Sequence, residues 1–191
     1  MSGDSDGGNY APLRHTPYPV KRALPFCAAT HRRRPRLQGA LWAIAAWRGD
    51  VVVGVAIVAR PARMLDDCRT LVVARVAVIE GDASQNNGNK GVCSLLYASC
   101  SRAVHAMGAT ALYTYTDLDE PGISLRAAGW HDDGETKGGE WNRPSRQRAL
   151  AINADPKRRW RTPWSPSLRD RKGGDMSEWP EDLRMRQYPD V

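Results

Sequence analysis

Three polar side chains stand where the sequence pattern allows acid–base or anion-binding chemistry. Arg75 interrupts Val72–Val78, an otherwise apolar run, and Asp117 directly follows the alternating segment Ala111–Thr116. An Arg within an apolar strand needs a charged partner or an anionic ligand, because burying an unpaired charge is unfavourable. A carboxylate at the carboxyl end of a strand lies where open α/β sheets bind ligands, and it could act as a general base toward an amine. Ser94, in the first turn of a predicted helix, could donate a hydrogen bond to a phosphate or a leaving group.

Each of these residues also has a purely structural interpretation. Arg75 could project past the sheet edge into solvent, and Asp117 could cap the helix that follows it. Ser94 could be an ordinary polar residue of a helix N-terminus. Glu120 is a further candidate base, and His31, beside a run of arginines, could line an acceptor site or belong to a plain basic loop. The sequence alone leaves these alternatives open.

A glycine-rich loop, QNNGNKG, joins the Arg75 strand to the helix that carries Ser94 and extends from Gln85 to Gly91. A loop of this kind exposes free backbone N–H groups at the positive end of a helix dipole, where a pyrophosphate binds. Lys90 would add a positive charge. The loop is neither a P-loop nor a GxGxxG fingerprint, so a surface loop with turn-forming residues remains the alternative.

Hydrophobic periodicity predicts the elements that hold these residues. Two apolar runs around the turn Arg48-Gly49-Asp50 predict a β-hairpin. The predicted elements are, in chain order, a short helix within 20–33, strands over Leu41–Trp47, Val51–Ala59 and Leu71–Ile79, a helix over Gly91–Met107, a strand over Ala111–Thr116, a short helix over Leu118–Ala128 and a strand from Gly129 to about Trp141. This order indicates an α/β domain with a mixed sheet.

Charge divides the 191 residues into three parts: a flexible N-terminal arm over 1–19, a domain over 20–142 and a basic Trp/Pro-rich extension over 143–191. Residues 1–40 carry seven Lys and Arg against two acids, residues 41–142 nine against twelve, and residues 143–191 twelve against seven. Basic segments around an acidic centre favour a polyanionic partner such as double-stranded DNA, or they are solvated tails. Trp160 and Trp164, interleaved with Arg, either stack on bases or fold back on the domain.

Several classes of protein are excluded or disfavoured. The longest apolar runs are shorter than the roughly 20 residues that a membrane span needs, and the first residues lack the pattern of a secretion signal. The four cysteines form no CxxC pair and do not cluster with the four histidines, so neither a disulfide scaffold nor a metal site is expected. Cys93 and Cys100 are expected in the core. These features favour a cytoplasmic protein with reduced thiols.

The order strand, Q-x-x-G-x-x-G loop, helix, strand and short helix ending in AAGW resembles the GNAT acyltransferase fold. Gln85 and Gly88 match the usual loop [QR]-x-x-G-x-[GA], while Lys90 occupies its last small position and Gly91 follows one residue later. The segment SLRAAGW, Ser124–Trp130, is similar to the family's LYEKLGF-type segment. The resemblance implies a mixed, mostly antiparallel sheet flanked by helices. It also implies that acetyl-CoA or a related acyl-CoA binds at Val76, Val78, Gln85, Gly88, Lys90 and Gly91.

Longer motifs, among them CSLLYASCSRAVHAMGA and YTYTDLDEPGISLRAAGW, are similar to a phage-borne GNAT-like family (XF1762 type) over about residues 25–162. The arrangement is more distantly similar to the Mom DNA-modification proteins of Mu-like phages. Their Arg, Ser and Tyr-x-Asp pattern falls on Arg75, Ser94 and Tyr115 to Asp117. This resemblance implies transfer to the amino group of adenine in double-stranded DNA, in the host cytoplasm, with Asp117 helping to deprotonate the attacking amine.

One departure from the family pattern bears on the mechanism. Many GNAT acetyltransferases use a Tyr in the LYEKLGF-type segment as general acid, and here Leu125 occupies that position. Tyr97, Tyr113 or Tyr115 could substitute. Three hypotheses follow: a Mom-like transferase acting on a DNA base; an acetyl-CoA-dependent N-acetyltransferase acting on a small amine, a protein or a modified phage base; and a DNA-binding module without catalysis.

Overall fold

The described part of the chain forms one mixed sheet that is antiparallel except at a single pair of strands. The structure is a computed structural model and describes residues 11–31, 37, 39–62, 65–79, 89–138 and 155–169. The elements are β1 (Leu13–Tyr18), α1 (Val20–Thr30), β2 (Ala40–Arg48), β3 (Val51–Ala59), β4 (Thr70–Val78), α2 (Val92–Ala106), β5 (Ala111–Asp117), α3 (Ile123–Ala127), β6 (His131–Thr136) and β7 (Lys157–Arg161). The strand order is β1-β2-β3-β4-β5-β7-β6, and the parallel pair is β4–β5. The predicted α/β class with a mostly antiparallel sheet is confirmed.

The elements with the strongest periodicity lie where the sequence predicts them. β2 and β3 form the hairpin, and its turn contains Gly49 at φ +58°, a conformation that glycine adopts without a steric penalty. α2 covers all but the ends of the predicted helix. It is followed by Gly108 at φ +80°, in the left-handed conformation that commonly ends helices.

The sheet has an apolar core on each face. On one face α1 buries Ala23 and Cys27 against small and β-branched side chains of the sheet, including Val55, Ile57 and Ala77. On the other face α2 buries a larger cluster that includes Leu96, Cys100, Val104, Leu112 and Trp160. Because each helix buries its apolar stripe against one face of the sheet, β3 and β4 are covered by apolar packing on both faces.

The sheet extends beyond the range 20–142 that charge and sequence pattern assign to the domain, since one strand precedes this range and another follows it. β1 pairs with β2, and the Trp47 indole donates to the Thr16 hydroxyl over 2.9 Å. β7, Lys157–Arg161, lies between β5 and β6 and is antiparallel to both. Neither strand has a clear apolar alternation, so each depends on main-chain pairing with strands distant in sequence.

The segment around β7 folds back on the domain, which is one of the two interpretations left open for its tryptophans. Trp160 is fully buried and its indole donates to the Thr116 hydroxyl over 3.0 Å. The Trp164 indole donates to the Ser101 hydroxyl over 3.2 Å. Both rings therefore contact the protein's own strands and helices.

A buried carboxylate ties β6 to β7 and to the segment that follows it. Asp133 is fully buried and accepts hydrogen bonds from Arg159 Nε over 2.6 Å, the Ser167 hydroxyl over 2.5 Å and the Leu168 N–H over 3.1 Å. Burial raises the pKa of Asp133, but these hydrogen bonds more than offset burial and hold its pKa below the usual value.

Candidate functional site

The two parallel strands at the centre of the sheet separate halfway along their length. β4 and β5 pair only from Thr70 with Ala111 to Val73 with Thr114. Beyond this point β4 pairs with β3 alone and β5 with β7 alone. A register shift between Ile57 and Val58 accompanies the separation, which is typical of a β-bulge. The result is a cleft of about 1220 Å³ that opens through the sheet.

The separation leaves main-chain groups of β4 without a neighbouring strand on the cleft side. The N–H of Ile79 donates to the Val53 carbonyl over 2.9 Å, toward β3. Because successive residues of a strand point their N–H groups to opposite sides, the N–H groups of Val76 and Val78 point toward the cleft. Both valines, which the resemblance predicts to bind acyl-CoA, line the cleft, and both side chains pack on the α2 cluster. This edge can bind an extended ligand that carries amide groups.

The N-terminus of α2 lies at the same end of the cleft as this β4 edge. Gly91 precedes the helix at φ +82°, and the Asn89 amide donates to the Ile79 carbonyl over 2.6 Å, which ties the loop to β4. Lys90 is exposed. The predicted phosphate-binding positions Gln85 and Gly88 lie outside the described residues. The described part of the loop thus brings a helix N-terminus and one ammonium group to the β4 edge.

Ser94 does not reach the cleft. Its hydroxyl donates to the Gly91 carbonyl over 3.0 Å, so the side chain turns back on its own helix terminus. The preceding residue, Cys93, lines the cleft instead. Ser94 therefore takes the structural role that was its alternative in the sequence.

On the α2 face of the cleft, two side-chain hydrogen bonds lie side by side and form a polar cluster: one joins Cys93 to Ser124 and the other joins Tyr97 to Thr114. Burial raises the pKa of the Cys93 thiol, and a hydrogen bond with Ser124 lowers it in part. Burial also raises the pKa of Tyr97, and negative charge at Cys93 and Glu120 raises it further. The Tyr97 phenol consequently stays protonated at neutral pH. Leu125 is buried in the core, and Tyr97 is the described tyrosine that lines the cleft on this face.

The sequence signal that marks this cluster is the spacing of Cys93 and Tyr97. Residues four apart lie on the same helix face, directly after a glycine-rich loop. Apolar periodicity places Cys93 in the core, because a thiol and an alkyl group are equivalent in such a pattern. The contribution of Ser124 depends on a contact between two helices and has no local signal.

Three of the four predicted catalytic residues share the opposite, α1 face of the cleft. Arg75 is paired in register with Ile57, which packs on α1. Burial raises the pKa of the Cys27 thiol on α1 to about 11, and the positive charge of Arg75 lowers this pKa in part. On β5, Tyr115 and Asp117 flank Thr116, whose hydroxyl faces the α2 side, so their own side chains face the α1 side. His31, at the end of α1, also lines the cleft.

The remaining tyrosines can be distinguished by where their hydroxyls lie. Tyr113 is buried and its hydroxyl donates to the Pro166 carbonyl over 2.8 Å, away from the cleft. Tyr115 lines the cleft, and burial raises the pKa of its phenol while the Arg159 charge lowers it. Tyr115 thus lies on the face opposite to Tyr97.

Acidic side chains from the end of β5 form one wall of the cleft. Asp117, Asp119 and Glu120 line it together with Lys157 of β7. The Lys157 ammonium donates to the Asp117 carboxylate, and both side chains are largely buried. This ion pair holds Asp117 in one orientation at the mouth of the cleft.

Several solved structures share this arrangement of strands and helices, and their match to this chain extends over nearly their whole length. A Bacillus subtilis acetyltransferase in complex with CoA has a TM-score of 0.53 and 14% identity, over 79% of this chain and 98% of that chain. An N-acetyltransferase from Staphylococcus aureus Mu50 has a TM-score of 0.53 and 12% identity, over 79% and 97%. A GNAT family acetyltransferase from Elizabethkingia anophelis with acetyl-CoA bound has a TM-score of 0.52 and 11% identity, over 78% and 97%.

The chain has the GNAT fold. At identities of 11% to 14% these structures establish the fold implied by the sequence resemblance. No protein-family model and no curated protein matches the sequence. The narrower similarities to the phage-borne family and to Mom therefore stay predictions. Within the described ranges, no helix of this GNAT fold is long and apolar enough to cross a membrane.

Proposed function

We propose that the protein is an acyl-CoA-dependent N-acyltransferase. The observation that carries this proposal is the cleft between β4 and β5, which offers an unpaired strand edge and a helix N-terminus on one side and carboxylates on the other. A thioester donor and an amine acceptor can enter such a cleft from opposite faces of the sheet. A cytoplasmic location is part of the proposal.

The donor side fits a long, amide-containing chain that ends in phosphates. The N–H groups of Val76 and Val78 would bind its amide carbonyls, and the N-terminus of α2 at Gly91 with Lys90 would face its phosphates. Gln85 and Gly88 complete this predicted binding loop. The CoA and acetyl-CoA bound to two of the neighbouring structures support the assignment of the donor class.

The reaction transfers an acyl group from sulfur to nitrogen. A bound acyl-CoA would supply a thioester carbonyl, and the C–N bond to the acceptor amine forms as the C–S bond breaks. Asp117 accepts the proton that the amine loses, and Lys157 keeps its carboxylate oriented. Tyr97 gives its proton to the departing thiolate, because its phenol is protonated and faces the donor side. Glu120, near Tyr97, is the second candidate base.

The predicted transfer to a DNA base and the double-stranded DNA partner have no observation of their own among the described residues. The basic run 32–36 and residues 139–154 lie outside them. The β7 arginines Arg158, Arg159 and Arg161 form ion pairs with Asp132, Asp133 and Glu135. Mass spectrometry of nucleosides from bacteria that express the protein tests this alternative: a new nucleoside, absent with Asp117→Ala, would establish it.

Two measurements test the acyltransferase. Calorimetric titration with CoA should show a single binding site, and acetyl-CoA with a panel of amines should release free thiol. Absence of CoA binding at millimolar concentration would overturn the proposal. Binding of CoA without thiol release from any amine would favour a module without catalysis.

A further inference from the structure

The cleft carries opposite charges on its two walls. Arg75 stands on the β4 wall, His31 at the end of α1 also lines the cleft, and Asp117, Asp119 and Glu120 stand on the β5 wall. The positive and negative charges therefore belong to different elements of the fold, one on each side of the cleft.

The strand register places Arg75 and Asp117 near one another along the cleft. Counting on from the last pair, Val73 with Thr114, and allowing for the extra β4 residue at the register shift, Arg75 lies about level with Tyr115, two residues before Asp117. Adjacent paired strands are about 4.8 Å apart, and β4 and β5 are unpaired at this height, so the gap exceeds that spacing. Arg75 and Asp117 also share the α1 face of the sheet. A small molecule between them would contact both.

The chemistry of Arg75 indicates what it recognises. A guanidinium carries five N–H donors in a planar fork, which is more than a single partner group can satisfy. This fork matches the two oxygens of a carboxylate or phosphate. Arg75 is half-buried inside the cleft, where charge-assisted hydrogen bonds are stronger than in water. On the opposite wall, Asp119 and Glu120 add two carboxylates to Asp117, whose charge Lys157 balances, and this net negative charge attracts a cationic amine.

We propose that the acceptor is a small zwitterion, in which an amine lies at Asp117 and an anionic group, a carboxylate or a phosphate, is held by Arg75. This inference rests on the proposed acyltransferase function and names its acceptor class. The ammonium group first releases one proton to solvent; the nitrogen then forms the C–N bond as the thioester C–S bond breaks, Asp117 accepts the second proton and Tyr97 protonates the leaving thiolate, while the anionic group stays bound to Arg75 throughout. Arg75 is thus a specificity-determining residue.

Matched amine pairs test the inference on the intact protein. β-Alanine against n-propylamine tests the carboxylate, and phosphoethanolamine against ethanolamine tests the phosphate, each with acetyl-CoA and thiol release as the readout. The charged member of at least one pair should have a kcat/KM about 10- to 100-fold higher, the range that a charge-assisted hydrogen bond provides. Whichever pair shows the preference identifies the anionic group.

Variants of Arg75 assign the preference. Arg75→Gln should remove most of it by raising KM for the charged amine, Arg75→Lys should retain part of it, and both should bind CoA as tightly as the wild type. The matched control is Arg102→Gln, an exposed arginine on α2, which should keep the full preference.

CoA binding separates failure of this inference from failure of the proposed function. Normal CoA binding with neutral amines used as well as charged ones, or with no panel amine used, overturns the zwitterionic acceptor. The same holds if Arg75→Gln keeps the preference. Absence of CoA binding overturns the acyltransferase itself and this inference with it. The comparison of amines on the wild type stands even if an Arg75 variant does not fold.

Discussion

Replacing Tyr97 with Phe would remove one hydroxyl from the donor side of the cleft and keep the ring. The ring packs edge-on against Trp130, with 5.6 Å between ring centroids, so the packing of α2 is preserved. If Tyr97 protonates the departing thiolate, Tyr97→Phe should lower kcat with little change in the affinity for CoA.

The size of the loss follows from general acid catalysis, which contributes roughly 10²- to 10⁴-fold. A thiol leaves more readily than an alcohol, so the low end, about 100-fold, is expected, equivalent to about 2.7 kcal/mol in the activation free energy. Because burial raises the pKa of Tyr97 above its usual value near 10, the wild-type kcat should not fall between pH 7 and pH 10. A proton donor with a raised pKa stays protonated through that range.

The assay is thiol release in single turnover, with acetyl-CoA affinity measured separately by calorimetry. An acyl donor with a more acidic thiol needs less protonation, so it should recover most of the rate of Tyr97→Phe. Tyr113→Phe is the matched control. It loses the hydrogen bond to the Pro166 carbonyl and some stability, but its hydroxyl lies outside the cleft, so kcat should be unchanged. A Tyr97→Phe variant within threefold of the wild type would refute the role.

Three other predictions concern the fold and the donor side. Asp133→Asn should destabilise the protein by about 3 kcal/mol, because Arg159 would lose its buried charge partner. The pKa of Asp133 is lower in the folded than in the unfolded state. The stabilisation by its carboxylate is therefore present above the ordinary pKa of about 4 and is lost as pH falls through the folded value. Urea unfolding from pH 7 to pH 2 should show this loss of stability, and the Asp133→Asn variant should not show it. Gly122→Ala should cost about 2 kcal/mol or more in urea unfolding, since a Cβ there would clash with the buried Trp160 ring and Gly122 has φ +68°; unchanged stability would contradict that packing. Val76→Pro removes one N–H that faces the cleft and should weaken CoA binding about tenfold by calorimetry; equal affinity would show that the donor does not use the β4 edge.

Periodicity predicts the hairpin, β4, α2 and β5, because each has an apolar pattern that is satisfied by packing on both faces of one sheet. It does not predict β7. The five residues KRRWR are typical of a basic tail, and they form a strand only because β5 and β6 pair with them and Asp133 offsets the charge of Arg159. Strand pairing over such sequence distances leaves no local signal.

Residues that break a pattern are the ones that the sequence alone could place at the cleft. Arg75 within an apolar strand and Asp117 at a strand end both line the cleft, whereas Ser94 bonds its own helix terminus. Tyr97 is one of three candidate tyrosines in the sequence, but nothing local joins it to Cys93 and Ser124, because a buried Cys or Tyr fits an apolar stripe as well as a site. Its role depends on where β4 and β5 separate, which only the structure reveals.

The position of β7 also sets the order in which the protein can become competent during synthesis. β6 is made before β7, yet β7 lies between β5 and β6, so β6 cannot take its place in the sheet until β7 has been made. Lys157, the partner of Asp117, belongs to that inserted strand. A nascent chain that has emerged only as far as β6 therefore has the donor side of the cleft but not the ion pair that orients Asp117. The proposed base is completed only after forty further residues have been added beyond Asp117 at the end of β5.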